Sequence, residues 1–349
     1  MKAYSMRLRA VILNDTRGDN HFGCMRVMRV IEENLATRGI DVTATSLVRN
    51  DWSKDKRFLS AMGVSDLVVI NGEGTLHHGS RHGLKLLSVL DHPARGTTPV
   101  ALINAVYQAN PAEWSEQLSR LSLISTRDSW SAKEVSTAIG RHIEYVPDLS
   151  LAEGEITLAT LPERKRLLVG DSVNRTVSRQ LLDLANTRAD ARYLPILTSI
   201  KPPKPHFPPA RRFLRQTYIN FHTAAFVRLY PQTEINTEEA GFVHSLFTGY
   251  LHLTGRFHAV CLCLATRTPF LALESNSWKI SALLSDFGLS SDRIVTFDEA
   301  RRRLQNKDRF DFSDLEHQRI SDGLSASMEG ASKLFDRLLL LAKSRQNYA

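Results

Sequence analysis

Apolar positions along this chain follow two alternating rhythms. Short, nearly continuous runs at Leu8–Leu13, Asp41–Thr45, Asp66–Ile70, Thr98–Ile103 and Leu121–Ser125 predict β-strands. Between them, apolar residues recur at helical spacing, as in Cys24, Val27, Met28, Ile31 and Leu35. Strands that are apolar on both faces, separated by helices, predict a parallel sheet covered on each side. A polar stretch at Ala152–Arg166 then interrupts the pattern. It resumes with predicted strands at Leu167–Val169, Arg192–Pro195, Glu234–Ile235, Tyr250–Leu253 and Pro269–Leu273, and a helix near Ser178–Thr187. At the end, Leu334, Phe335, Leu338, Leu339 and Ala342 share one helical face, which predicts a helix docked on a domain.

The chain has 349 residues, too many for one ordinary core. The expected fold class is α/β: two Rossmann-like doubly wound domains facing across a cleft, at 1–151 and 163–325, with a terminal helix at 326–349. Six of the 13 prolines fall between Pro195 and Pro209, which predicts an irregular loop within the second domain.

With 45 basic and 37 acidic residues the formal charge is +8, a balance that favours anionic partners. The excess is local. Seven Lys or Arg and no Asp or Glu lie between Asp190 and Glu234. No nucleic-acid motif accompanies them, so a phosphorylated small molecule or lipid-linked sugar is the expected class of partner. No apolar run approaches the ~20 residues of a spanning helix. Arg7 and Arg9 sit inside the early apolar stretch and argue against a secretory signal. Cys24, Cys261 and Cys263 then read as reduced thiols in a cytoplasmic protein, and no metal site is expected from their spacing.

Ligands of open parallel sheets bind beyond the carboxyl ends of the strands. Five predicted strand ends carry glycine or charge: Asn14–Asn20, Asn71–His78, Arg127-Asp128, Thr254–His258 and Glu274–Ser277, the last followed by Lys279. Each has a plain structural reading beside the chemical one. Asp19 and Asn20 are suited to cap a helix, Gly72 and Gly74 to shape a turn, and Arg127-Asp128 to form an ion pair with a cap. Arg256 and His258 open an apolar helix, which turns both toward the ligand end.

Taken together, these segments resemble the polysaccharide pyruvyl transferases. The likeness lies in Gly18-Asp19, DLVVINGEGTLHH (66–78), STRDSWSAKEV (125–135), VPDLSL (146–151) and TGRFHAVCLCLATRTPFLALESNSWK (254–279). It departs from the family at Gly72-Glu73-Gly74, where three glycines are common, and across 195–230. The resemblance implies a fold similar to GT-B glycosyltransferases. It implies transfer of a pyruvyl group from phosphoenolpyruvate to a saccharide, as a ketal, with loss of phosphate and no metal or other cofactor. On that reading Arg127 and Arg256 hold the donor, His258 is the general acid, Lys279 neutralises the leaving phosphate or the carboxylate, and Asp19 or Glu73 engages the sugar hydroxyl. Asn71, Gly255 and Ser277 line the same loops as binding residues. A lipid-linked acceptor and peripheral contact at the inner membrane face stay open, as does the oligomeric state. The alternative is a GT-B-type glycosyltransferase using a nucleotide-activated sugar; a third reading is an inactive scaffold in polysaccharide assembly.

Overall fold

The computed structural model describes residues 7–199 and 208–346. Two compact units emerge. The first runs through Arg17, continues as Val27–Ala152 and returns from Ser327 on; the second comprises Gly18–Arg26 and Glu153–Ala326.

In the first unit, β1 (Leu8–Asp15), α1 (Phe22–Thr37, of which Phe22–Arg26 belong to the second unit), β2 (Ile40–Leu47), α2 (Lys56–Gly63), β3 (Leu67–His77) and α3 (Arg81–Leu87) come in order. They are followed by β4 (Val100–Gln108), α4 (Trp114–Ser119), β5 (Leu123–Thr126) and α5 (Ser129–Ile139). The strands form one parallel sheet in the order β2-β1-β3-β4-β5. Alternate residues of β1 explain its continuous hydrophobicity. Val11 and Leu13 join the apolar cluster on one face of the sheet, while Ala10 and Ile12 join the other.

The second unit repeats this plan. Its elements are β6 (Arg166–Ser172), α6 (Arg175–Asn186), β7 (Ala191–Tyr193), α7 (Pro209–Leu229) and α8 (Glu239–Phe247). After them come β8 (Gly249–Gly255), α9 (Phe257–Ala265), β9 (Phe270–Leu273), α10 (Lys279–Asp286), β10 (Ile294–Val295) and α11 (Phe297–Asn306). Its parallel sheet has the order β7-β6-β8-β9-β10, so both sheets read 2-1-3-4-5. In that order the chain reverses its winding between the first and third strands, and the crevice beyond their carboxyl ends is the usual ligand position. Here those places are the ends of β1 and β3, and of β6 and β8.

The last helix, α12 (Asp314–Gln346), is 33 residues long. Its Ala331, Leu334, Phe335, Leu338 and Ala342 are buried in the cluster that holds Leu8, Ile12 and Ile31 of the first unit.

Three sequence expectations need correction. The segment Asn71–His77 is not a loop: β3 carries on through it, paired with β4 as far as His77↔Gln108. Its extension is locally strained, with Glu73 at φ 36° and a register shift after it. The expected strand at Glu234–Ile235 is absent; Thr233 makes a single bridge to Tyr193 instead. The irregular loop expected between Pro195 and Pro209 gives way at its far end to the 21-residue α7, which starts at a proline suited to a first helical turn. Residues 200–207, with Lys201 and Lys204, lie outside the described residues. The strand read as Leu167–Val169 continues to Ser172, and that extension carries Asp171.

Candidate functional site

The carboxyl end of the second sheet is built around Asp171 and Arg256. Both follow the central strands, β6 and β8, which pair as far as Ser172↔Gly255. Asp171 is buried. Its Oδ1 accepts the Ile196 amide at 3.2 Å, and its Oδ2 accepts Arg256 Nε and Nη2 at 2.6 and 2.5 Å. The Arg256 side chain keeps 21% of its surface in solvent, so the fork is oriented by one carboxylate yet still accessible.

Two glycines let the strand ends come this close. A Cβ on Gly255 would lie 2.5 Å from Ser172 Oγ, and one on Gly170 would lie 2.7 Å from Thr254 Oγ1. Thr254 Oγ1 accepts the Arg256 amide at 3.2 Å and donates to the Asp171 carbonyl at 3.4 Å. Arg256 occupies the cap position of α9 without capping it through its side chain. A guanidinium therefore stands at the positive end of a helix whose nine residues are all buried.

His258, in the first turn of α9, is buried against Gly23. A Cβ at Gly23 would lie 2.2 Å from the His258 Cβ, so only glycine allows the packing. The stretch carrying Gly23 is stitched to this unit by its backbone. His21 bridges antiparallel to Leu197, Phe22 N donates to Ile196 O at 3.2 Å, and Thr198 N to Asn20 O at 3.2 Å. The Phe22 ring lies 5.6 Å from Phe242, and the buried Arg26 pairs with Glu153 at 2.6 Å and with Glu239.

Thr198 and Asn20 also line a cleft of about 880 Å³, walled further by Gln216, Asn220 and Thr223 of α7 and by Thr233. None of its lining residues is acidic. Among the described residues, the buried Thr223 and Thr233 hydroxyl oxygens have no hydrogen-bond partner. Ile196, whose amide donates to Asp171, lies two residues before Thr198 in the chain, so the cleft adjoins the Arg256 fork along this segment. A smaller cleft of about 560 Å³ lies between the C-terminal half of α6 and α11.

His21, Cys24 and His258 bring one ligand-type atom each within 4.8 Å of one another, a donor set of the kind zinc accepts. However, His21 Nδ1 accepts the Gly23 amide at 3.1 Å. A neutral imidazole has one lone pair, so ligation by His21 would break that bond. The geometry matches a hydrogen-bonded cap of α1 better than a metal centre.

The remaining expected residues fall as follows. Lys279 opens α10 and donates from Nζ to Asn276 Oδ1 at 3.0 Å. Beside it, the buried Ser277 Oγ has no hydrogen-bond partner among the described residues. Asp19 is half-buried within the 18–26 stretch of the same unit. Asn71, Glu73 and Arg127 belong to the first unit. There Glu73 accepts Thr16 Oγ1 at 2.5 Å and Asn71 Nδ2 at 3.2 Å, while Asn14 Nδ2 donates to Asn71 O at 2.6 Å. This buried network fills the end of β1 and β3. Arg127 is buried with Nη1 3.4 Å from Asp148, and Asp128 caps α5 by accepting Ser131 N at 2.7 Å. Sequence reasoning passed over Asp171, Gly170, Gly23 and the two threonines. Reading β6 to its end would have exposed Asp171 as a sixth charged strand end.

No family model matches the chain, and no curated protein matches it. Solved structures do. A UDP-N-acetylglucosamine 2-epimerase from Rickettsia bellii is 11% identical with a TM-score of 0.53, over 98% of each chain. The UDP-GlcNAc 2-epimerase from Neisseria meningitidis bound to UDP-GlcNAc is 11% identical with a TM-score of 0.50, over 95% of this chain and 100% of the other. A glycotransferase of kitacinnamycin is 10% identical with a TM-score of 0.50, over 95% and 98%. At such identity the likeness is one of fold: two Rossmann-like α/β domains of the GT-B type. It corrects the expectation of pyruvyl transfer from phosphoenolpyruvate, because these similar structures are nucleotide-sugar epimerases and a glycosyltransferase. The general-acid role given to His258 belonged to that reaction. In the structure His258 is packed beneath Gly23.

Proposed function

We propose that the protein is a GT-B-type glycosyltransferase that takes its donor as a nucleotide-activated sugar and its acceptor as a saccharide hydroxyl. The observation that carries this reading is Arg256. It is oriented by Asp171, stands at the head of α9, and lies at the switch point between β6 and β8. Glycosyl transfer breaks the bond from the anomeric carbon to a diphosphate, and negative charge builds on the departing oxygen. A fixed guanidinium and a helix N-terminus oppose that charge without having to reorganise. The adjoining cleft, uncharged except for Arg228 and offering hydroxyls and amides, suits the nucleoside part of the donor.

The test is ligand-dependent thermal stability. UDP and UDP-sugars should stabilise the protein, by about 2.7 kcal/mol at a hundred times Kd. The paired substitution Arg256→Ala with Asp171→Asn should weaken UDP binding about 10–100-fold, the loss of one charged hydrogen-bond partner. Stabilisation by phosphoenolpyruvate and by no nucleotide sugar would overturn the proposal. Nucleoside diphosphate released only with an acceptor sugar marks transfer, whereas an epimerised donor formed without acceptor would replace transferase by epimerase.

A further inference from the structure

α7 is apolar on two opposite sides, and only one of them is used. At 3.6 residues per turn, Ile219, Phe226 and the following Tyr230 lie on a common side. Ile219 is buried, and Phe226 and Tyr230 pack on the core of the second unit. On the opposite side Leu214, Tyr218, Phe221, Ala225 and Leu229 recur four, three, four and four residues apart, with Phe213 beside them. These side chains are held out. Phe213 is 73% exposed, Phe221 75%, Leu214 68% and Leu229 69%. Such a contiguous exposed patch on one helix is a mark of an interaction surface.

The charge around the patch identifies its occupant. Arg211, Arg212, Arg215 and Arg228 are the charged residues of α7, and no Asp or Glu occurs from Ala191 to Thr233. A second copy of this helix laid against the first would set arginine against arginine with no carboxylate between them. An anionic lipid surface satisfies both features: it takes the apolar stripe among its acyl chains and the arginines among its phosphates. The helix cannot cross the bilayer, since none of the described helices is long and apolar enough. We propose that α7 lies flat in the headgroup region of an anionic membrane, inserting Phe213, Leu214, Tyr218, Phe221 and Leu229. This inference does not depend on the donor chemistry proposed above.

Flotation of the full chain with vesicles tests it. The protein should float with phosphatidylcholine vesicles containing phosphatidylglycerol and stay behind with phosphatidylcholine alone. Replacing Arg211, Arg212 and Arg215 by Gln should weaken partitioning about 100-fold, at the usual contribution of each surface arginine. Phe213→Ser with Phe221→Ser should abolish it, and because both side chains are exposed, the thermal melt should stay at the parental value. As a second readout, Phe221→Trp should add a blue-shifted emission component, quenched by brominated lipid, on vesicle addition. Flotation unchanged in both variants would overturn the proposal. So would concentration-dependent self-association lost in the Phe variant without vesicle binding, or capture by an acidic protein surface with vesicles ignored.

Discussion

Arg256 and Asp171 illustrate how a single buried carboxylate fixes a functional cation. Removing one partner leaves the other charge nearly buried, which ordinarily costs about 3–5 kcal/mol. Arg256→Ala alone should therefore destabilise the protein by roughly that amount, and adding Asp171→Asn should recover much of it, because the neutral amide still accepts the Ile196 amide. Additive losses in urea unfolding of the two single variants and the double would show that the pair is not coupled. His252 offers a second residue-level test. It is fully buried beside Cys263, its Nδ1 3.3 Å from the sulfur, and burial pushes its pKa down to about 3. The unfolded chain, with a histidine near pH 6.5, binds the proton more readily than the native state does. Stability from the neutral ring is thus complete above pH 6.5 and is lost as pH falls toward 3, by about 2 kcal/mol at pH 5. His252→Gln should remove this component from the pH dependence of the melt; an unaltered acid limb would assign it to other groups.

The decisive elements are the stretch that leads into α1 and the head of α9. The stretch Gly18–Arg26 is held to the second unit by the bridge at His21 and by Gly23 seated on His258. Gly23→Ala places a methyl where the His258 side chain already is, and a clash with packed atoms costs on the order of 1–3 kcal/mol. The stretch should shift and take Asn20 out of the wall of the cleft, so nucleotide affinity should fall more than overall stability does. Equal binding by the variant and the parent would separate Gly23 from the site. The same comparison shows what was legible at this scale. Thr254–His258 could be read as a strand end opening a helix, because glycine and charge interrupt an apolar run. The Asn71–His77 segment could not be read as strand, since its glycines and polar residues mimic a loop while β4 supplies the hydrogen bonds that keep it extended.

For the molecule as a whole, hydrophobic patterning alone determined two parallel α/β domains. A strand buried on both faces must be continuously apolar, and its crossover helix must carry a stripe, so the alternation is written directly into residues such as Val11, Ile12 and Leu13. The pattern also determined the terminal helical face, whose Leu334, Phe335 and Leu338 are buried as their spacing requires. Tertiary structure decided the rest. Partners far apart in sequence, such as Asp171 with Arg256 and Gly23 with His258, leave no local signal, because a contact between distant segments imposes no periodicity on either one. Arg127 and Arg256 look alike in sequence, each a charge at a strand end. One is buried against Asp148, while the other reaches solvent at a helix head. Burial separates structural charge from available charge, and burial is set by neighbours that the local sequence does not name. For α7, composition announced a basic segment, yet only the packing of Ile219 inward turned Phe213 and Phe221 outward.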